Sequence, residues 1–244
     1  MFRYSSTQVV FGEQDLEVVL HQLVAIMMIV EHRDNHEGHG VLKPGDVQWM
    51  TAGRGILHRE MAHNKQQAHT LQLWLNLPAE NKMVEPTYQD LLGDKAPVRR
   101  EPRVEARVFS GRSGNVEAIP RVSNYLPVTM VDVRLDGDEG TSFTQEIPPG
   151  DEGFVYAVSG QGYFSTNGTL VSAGQAGHLT RTSTADGATM LSVSAKEPTR
   201  FLLWTGRPLR QPIVARGPFV MNTESQIAEA FADYSAGLFG SIPA

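Results

Sequence analysis

The sequence predicts an all-β fold with one clear helix, near its C-terminus. Short apolar segments alternate with polar residues, as where Val131, Val133 and Leu135 interleave with Asp132 and Arg134. The 23 glycines and 14 prolines supply turns between such segments. One stretch alone shows a sustained 3.6-residue apolar repeat. With 244 residues, 41% of them hydrophobic, the chain can bury a core as one large or two small domains.

Composition limits the classes of function. The formal net charge is -6 and the basic residues are dispersed, so we expect no direct binding to nucleic acid. The sequence contains no cysteine, which excludes disulfides, zinc–thiolate sites and thiol nucleophiles and fits a cytoplasmic or nuclear location. The apolar run from Val18 to Val30 is shorter than the ~20 residues that span a bilayer, and acidic residues precede it. We therefore expect no membrane association, and we interpret the run as a buried strand or short helix.

The most informative motif begins with the turn Pro44-Gly45-Asp46. An apolar strand, Val47–Met50, follows, then the corner Gly53-Arg54-Gly55 and a second strand that carries His58 and Glu60. Side chains two residues apart on a strand point to the same face. We therefore predict that this imidazole and this carboxylate project together, which is how a strand presents half of a metal site.

This motif resembles the second metal-binding motif of pirins, two-domain proteins of the cupin superfamily. Other segments match the same family, namely Leu71–Pro78, Lys82–Pro86, Tyr88-Gln89 and Gly217–Thr223. The resemblance extends over about residues 30–240. It implies two cupin-type antiparallel β-barrels, or jelly rolls, of which the N-terminal one is incomplete.

The resemblance and the turn signals together predict five segments. They are a divergent N-terminal segment (1–29), a partial N-terminal cupin domain (30–92), a linker (93–112), a C-terminal cupin domain (113–207) and a C-terminal tail (208–244). Within the N-terminal domain, we predict a hairpin with its loop at residues 35–40 and a strand at Leu71–Leu77. Glu80–Leu92 is predicted as a helix interrupted by Pro86.

The C-terminal domain and the tail have their own signals. Short strands are predicted at Phe154–Val158, Tyr163-Phe164, Val171, His178–Thr182, Met190–Val193 and Phe201–Trp204. His178 is the domain's single histidine, so we interpret this domain as a metal-free scaffold. In the tail, Thr223 and Gln226 have the spacing of a capping box. An apolar helical stripe of Ile227, Ala230, Phe231 and Tyr234 follows, and the resemblance implies that it packs on the N-terminal domain.

The resemblance also implies one iron ion, Fe(II), held by three histidines and a glutamate. His58 and Glu60 match one ligand pair. The family's other pair comes from a His-Pro-His strand, which this sequence does not contain. Counting back from His32 without gaps, the two histidine positions fall on Gln14 and Leu16. Leucine has no lone pair, and an amide is a poor substitute for imidazole on a transition metal.

Three interpretations of the site follow. In the first, half the ligands are lost and iron binding is weakened. In the second, the site is rebuilt with carboxylates that share a strand face, the candidates being Glu13, Asp15 and Glu17, with His21 on the same face. In the third, a loop cluster of His32, His36 and His39 binds the metal.

The implied function is that of a quercetin 2,3-dioxygenase-like oxygenase, in which a cupin metal binds a flavonol-like small molecule and its central ring is opened. The expected pocket is lined by Trp49, Met50, Leu73 and Trp74. Glu60 would be both a metal ligand and the candidate catalytic base. With half the ligands missing, we expect activity to be weak or lost. The alternatives are a non-enzymatic, iron- or redox-responsive partner of transcription regulators, as pirins also are, and an inert remnant.

Overall fold

A computed structural model describes residues 14–17, 21–26, 29–62, 70–120, 125–137, 140–165, 168–179 and 187–242. The described residues form 22 β-strands, one short 3-10 helix and one α-helix, which confirms the predicted all-β class with a C-terminal helix. None of the described helices is long and apolar enough to cross a membrane.

The strands are short and follow one another closely along the chain. The first eight are β1 (Gln14–Glu17), β2 (His21–Ile26), β3 (Val30–Asp34), β4 (His39–Leu42), β5 (Val47–Thr51), β6 (His58–Ala62), β7 (Thr70–Trp74) and β8 (Thr87–Leu91). The next seven are β9 (Val98–Glu101), β10 (Val104–Ser110), β11 (Arg112–Ser113), β12 (Val116–Glu117), β13 (Val128–Leu135), β14 (Ser142–Ile147) and β15 (Glu152–Ser159). The remaining elements are β16 (Gln161–Phe164), β17 (Thr169–Ser172), β18 (Ala176–Leu179), β19 (Thr189–Ser194), β20 (Thr199–Gly206), β21 (Val214–Arg216), β22 (Phe219–Met221) and α1 (Glu224–Ser235).

The chain divides into two units. Unit 1 consists of the described residues up to Lys95, together with Tyr125 and the segment from Leu209 onward. It contains two four-stranded antiparallel sheets, with strand orders β1-β6-β3-β4 and β7-β2-β5-β8. Strand β5 is buried along its whole length, consistent with its central place between β2 and β8.

Two predictions in unit 1 are settled by strand pairing. The apolar run before Val30 contains strand β2, which lies between β5 and β7, so its strand interpretation is correct. The predicted helix at Glu80–Leu92 is wrong. A single 3-10 turn, Ala79–Asn81, is followed by strand β8, whose residues from Thr87 to Leu91 pair with β5. Pro86 prevents a helix from continuing through this segment. The residues after it form a strand because they pair with the buried strand β5.

Unit 2 comprises Ala96–Pro120 and Leu126–Pro208. Its six-stranded sheet has the order β18-β15-β20-β13-β10-β9, and its four-stranded sheet the order β14-β19-β16-β17. Both sheets contribute to one hydrophobic core. Phe201 lies at its centre, with edge-to-face contacts to Phe143 and Phe164. The predicted alternation on β13 is present, since Val131, Val133 and Leu135 are buried in this core.

The linker interpretation of residues 93–112 needs correction, because strands β9 and β10 occupy most of it. Ala106 and Val108 on β10 are fully buried, while Glu105 and Arg107, which alternate with them, form an ion pair with each other. On the paired strands β9 and β10, Arg100 and Glu105 point outward, whereas Arg99 and Glu101 lie opposite the buried Ala106 and Val104 and share their inward face. Their inward residues belong to the sheet of unit 2.

The tail of unit 1 ends in helix α1. Thr223 forms a complete capping box with Gln226, in which each side chain bonds the other residue's backbone. Ile227 is fully buried in a cluster that also contains Leu57 and Phe219. The Asn35 side chain ties the same region together, accepting a hydrogen bond from the Leu57 N–H and donating one to the Phe239 carbonyl. The tail thus packs beside the start of strand β6.

Candidate metal centre

Four ionisable side chains share one face of the pair formed by strands β3 and β6. The strands are antiparallel, with His32 opposite Glu60 and Asp34 opposite His58. Residues opposite each other in such a pair point to the same face, as do residues two apart on one strand. The site is therefore two neighbouring strands that each present a histidine and a carboxylate, two residues apart.

The corner before β6 fixes where His58 begins its strand. Gly53 and Gly55 have φ angles of +52° and +133°, which side chains rarely allow. A Cβ at Gly55 would also lie only 2.1 Å from the ring of Phe239. Arg54 donates its backbone N–H to the Val84 carbonyl at 2.9 Å. The glycines of the motif thus let the chain turn tightly against the tail and enter β6 at a set position.

Three side chains form a cluster with metal-binding potential. Their ligand atoms, from His32, His58 and Glu60, all lie within 4.8 Å of one another. His32 and His58 are buried, and the Glu60 side chain is 19% exposed. Nδ1 of His32 and both ring nitrogens of His58 are buried and make no hydrogen bond within the described part of the chain. Two imidazoles and one carboxylate are the donor set of many non-haem iron sites, so these residues fit the iron that the resemblance implies.

The His58 ring is held neutral. Burial lowers the pKa of His58 to about 3, and the neighbouring His32 acts in the same direction while Asp34 opposes it. At neutral pH the ring therefore keeps a lone pair on one nitrogen. Only a neutral imidazole can bind a metal, so burial prepares this residue for that role.

Asp34 accepts hydrogen bonds from three directions. Its Oδ1 accepts the backbone N–H groups of His36 and Gly38, each at 2.8 Å. Its Oδ2 lies 3.2 Å from Nε2 of His32. Burial by itself raises the pKa of Asp34, but the bonds from His32, Gly38 and His36 outweigh it and hold the pKa below its ordinary value. Asp34 is thus an ionised carboxylate beside the cluster.

The second sheet of unit 1 closes over the cluster. The ring of Tyr88, on β8, lies nearly parallel to that of His32, with centroids 4.4 Å apart. The Tyr88 hydroxyl donates a hydrogen bond to Asp90 and also interacts with Gln48. Burial, followed by the influence of Asp90, raises the pKa of Tyr88 far above its ordinary value. Tyr88 therefore stays protonated and serves as an aromatic wall and hydrogen-bond donor.

The predicted loop cluster does not form around His32. His32 is a fully buried strand residue, whereas His36 and His39 are exposed. Among the described residues, no metal-binding group includes either of them. The hypothesis grouped the three by closeness in sequence. The strand reverses at the loop, so His32 faces the interior and the other two face solvent.

Two of the carboxylates proposed for a rebuilt site, Asp15 and Glu17, lie on strand β1. Glu13 falls outside the described residues, and His21 lies on β2 in the other sheet. The backbone of β1 pairs with β6, with Gln14 opposite Glu60 and Glu17 opposite His58. A register irregularity separates these two pairs, within which Asp15 and Leu16 fall. The segment before the hairpin thus runs beside the candidate ligands.

The expected pocket lining needs correction. On β5 and β8, Met50 is paired with Tyr88, and Gln48 with Asp90, so these four share a sheet face. Trp49 alternates with them and lies on the opposite face. Leu73 lies on the same face as Trp49, because both residues pair with Leu23 of β2. Trp74 lies on the same face as Met50, because both pair with Gln22, and it is 39% exposed. Two of the four predicted residues therefore cannot line the site.

In unit 2, His178 is exposed on β18, with its ring 6.4 Å from that of Phe154.

Sequence reasoning did not bring three residues of the site together with His58 and Glu60. It considered His32 as a ligand only in a cluster with His36 and His39, and it gave no role to Asp34 or Tyr88. A sequence signal for His32 and Asp34 was available, because His32-x-Asp34 repeats the two-residue spacing of His58-x-Glu60. Tyr88 lies in the other sheet, and nothing local in sequence indicates its contact with His32.

Comparison with known protein families gives two matches. The family model described as Pirin matches residues 15–75, and the model described as Pirin C-terminal cupin domain matches residues 130–240. Pirin from Rattus norvegicus is 40% identical over 200 residues, covering 81% of this chain and 66% of the rat protein. A pirin-like protein from Solanum lycopersicum is 37% identical over 209 residues, covering 86% of this chain and 69% of that protein. The chain thus spans about two thirds of the length of these relatives. Similarity begins near residue 15, earlier than the expected residue 30.

Solved structures give the same result. A quercetin 2,3-dioxygenase from Acinetobacter baumannii superposes with a TM-score of 0.82 at 30% identity, covering 97% of this chain and 83% of that one. A bacterial pirin, YhhW from Escherichia coli, in complex with nickel(II), gives a TM-score of 0.57 at 21% identity, covering 83% and 78%. This second likeness shows the fold alone. The predicted cupin architecture is confirmed by the first match and by the family models.

Proposed function

Because the chain belongs to the pirin family, we propose that it is a metal-dependent cupin whose ion is held by the cluster of His32, His58 and Glu60. The observation that carries the proposal is the convergence of three ligand atoms within 4.8 Å, all from one sheet face. The donor set suits Fe(II), the ion that the family resemblance implies. His58 and Glu60 come from the recognised motif, and His32 comes from the neighbouring strand.

The proposed reaction class is oxygenation of a flavonol-like small molecule. The solved protein most useful here is the quercetin 2,3-dioxygenase of A. baumannii, which matches most of this chain at 30% identity. When bound, the iron would supply open coordination positions at which substrate and dioxygen are brought together. Three protein ligands leave more such positions than four, so loss of the family's other pair does not by itself remove this chemistry.

The protein residues have separate roles in this proposal. Glu60, the most exposed member of the cluster, can accept the proton of a flavonol hydroxyl as the substrate binds. His58 and His32 hold the ion on the buried side, where water is excluded. Met50 and Tyr88 face the site from the second sheet and give it an apolar wall. The rate is expected to be low, since the ion is held by fewer ligands than in a complete family site.

Metal analysis and turnover test the proposal together. Protein expressed with added iron should retain near-stoichiometric metal after desalting, and His58→Ala should lose it. His178→Ala, an exposed histidine in unit 2, is the matched control and should keep it. Oxygen uptake with quercetin should follow the metal content across these variants. Wild-type protein that keeps no metal would contradict the proposal. Metal without oxygen uptake would contradict the enzyme and favour a binding protein, the partner of transcription regulators implied by the family resemblance.

The rebuilt-site hypothesis is tested by the same assay. Strand β1 runs beside β6, with Glu17 opposite His58 in the backbone register. If a β1 carboxylate is a ligand, Asp15→Asn or Glu17→Gln should lower the retained metal as His58→Ala does. If the three-residue cluster is the complete set, both variants should retain metal like the wild type.

A further inference from the structure

We infer that Asp34 is a positioning residue that fixes the tautomer of His32, so that Nδ1 and not Nε2 is the nitrogen offered to a metal. The role as a metal ligand rests on the proposed function, whereas the tautomer itself does not. The inference deepens the site by naming the coordinating atom and the group outside the cluster that selects it.

The hydrogen bonds of Asp34 determine which His32 nitrogen carries the proton. The Asp34 side chain is bonded as an acceptor, because its Oδ1 accepts the backbone N–H groups of His36 and Gly38. Nε2 of His32 lies 3.2 Å from Oδ2, and so it must be the N–H donor. In a neutral imidazole the other nitrogen, Nδ1, then carries the lone pair. This is the carboxylate–histidine–metal arrangement, in which the outer carboxylate orients the ligand and raises its basicity.

The position of Nδ1 agrees with this assignment. It is buried and accepts no hydrogen bond from the described residues. A lone pair left without a partner in the interior is destabilising, and a bound metal removes that cost. The His32 and His58 ring centroids are 5.5 Å apart, and the cluster that meets the ligand criteria includes both rings. The unbonded Nδ1 thus belongs to the His32 ring, which lies next to the ring of His58.

The carboxylate itself is held rigidly. Two backbone N–H groups bind Oδ1, and a Cβ added at Gly38 would lie 2.1 Å from Oδ2, so the loop closes directly over the carboxylate. Asp46 offers a comparison within the same unit. It is buried and also binds two backbone N–H groups, those of Lys43 and Gly93, yet the bonds described for it include no histidine. Replacing Asp46 therefore controls for the loss of a carboxylate that binds backbone N–H groups but no histidine.

Nitrogen NMR of the metal-free protein tests the tautomer directly. Long-range 15N–1H correlation distinguishes the two neutral tautomers, and His32→Gln identifies the signal among the 8 histidines. We expect the Nε2–H form in the wild type. In Asp34→Asn the amide carbonyl can still accept the loop N–H groups. Its NH₂ then faces Nε2, which should move the proton to Nδ1. A wild-type His32 with its proton on Nδ1 would overturn the inference without any variant.

Metal binding tests the consequence. Titration with Co(II), followed by its ligand-field absorption, should show affinity about 10–100-fold lower in Asp34→Asn, the range for loss of an outer carboxylate. Asp46→Asn should bind Co(II) like the wild type. Equal affinity in Asp34→Asn and wild type would overturn the inference. If the wild type binds no Co(II) but shows the Nε2–H tautomer, the proposed function fails while the positioning role of Asp34 is supported.

Discussion

Tyr88 lies on His32 as a nearly parallel ring, with centroids 4.4 Å apart and planes inclined by 10°. The two residues come from different sheets of unit 1, β8 and β3. The contact therefore fixes the plane of a candidate ligand from the side opposite to its own strand. Together with Asp34, which bonds the ring edge, it leaves the imidazole little freedom to rotate.

Two replacements of Tyr88 should separate the effect of the ring stacking on metal affinity from the effect of the hydroxyl. Tyr88→Leu removes the flat wall, so we expect metal affinity to fall about tenfold, the lower end of the range for outer residues of metal sites. Tyr88→Phe keeps the wall and loses only the hydroxyl's interactions with Asp90 and Gln48, so its metal affinity should stay near that of the wild type. Calorimetric titration of both variants measures this. Equal losses in the two variants would show that the hydroxyl, and not the stacking, supports the site.

The buried His58 should make the metal-free protein sensitive to mild acid. Its pKa is about 3 in the folded protein, lowered by burial, against an ordinary value of 6.5. Below pH 6.5 the unfolded chain therefore binds a proton that the folded chain does not, and stability falls with falling pH. From pH 7 to pH 5 the free energy of unfolding should drop by about 2 kcal/mol from this residue.

Urea unfolding of chelator-treated protein at several pH values measures this effect. His58→Gln is the matched variant, because glutamine does not titrate. The difference in unfolding free energy between variant and wild type should change across this pH range, since other acidic groups act on both proteins alike. A constant difference would mean that His58 titrates with its ordinary pKa in the folded state.

The sequence predicted the local parts of this molecule well. The all-β class, the capping box of Thr223 and the strand that carries His58 and Glu60 are all encoded within a few residues. Glycine supplied the corner before that strand, where φ is positive at Gly55. Such features depend on backbone sterics and nearest-neighbour hydrogen bonds, which a short stretch of sequence specifies.

The remaining features depend on which strands become neighbours. The local pattern predicts a helix at Glu80–Leu92, although Thr87–Leu91 pairs with β5. Arg99 falls within the predicted linker, although it lies on the edge strand β9 with its guanidinium over the Phe143 ring. The contact of Tyr88 with His32 joins two sheets and has no local signature. Pairing between strands distant in sequence overrides local propensity in each case.

The tail should contribute measurably to stability through Phe231. Its ring contacts Phe219 edge to face, with centroids 4.8 Å apart, and packs in the cluster that contains Leu57. Phe231 is half-buried, so Phe231→Ala should cost about 2 kcal/mol, below the range for a fully buried phenylalanine. Leu238→Ala in the same tail is the control, because Leu238 is 70% exposed. Thermal unfolding compares them, and an unchanged midpoint in Phe231→Ala would mean that the helix does not pack there in solution.

Lys82 should give the protein an unusual gain of stability in alkali. The residue lies in the family-matching segment Lys82–Pro86, is only 1% exposed and donates a hydrogen bond to the Asn76 side chain. Burial lowers the pKa of Lys82 to about 8 from the ordinary 10.5. Between these values the unfolded chain keeps a proton that the folded chain has released, so stability rises with pH through this window.

The size of the Lys82 effect follows from the shift. A difference of about 2.5 pKa units corresponds to about 3 kcal/mol between pH 8 and pH 10.5. Lys82→Met, which keeps the apolar stem and removes the titrating group, should lack this component. Lys95→Met, at an exposed position, controls for the loss of one lysine charge. Denaturant unfolding across this pH range should show the wild type gaining stability relative to Lys82→Met. Parallel curves for these two proteins would show that Lys82 keeps its charge in the folded state, solvated within the fold.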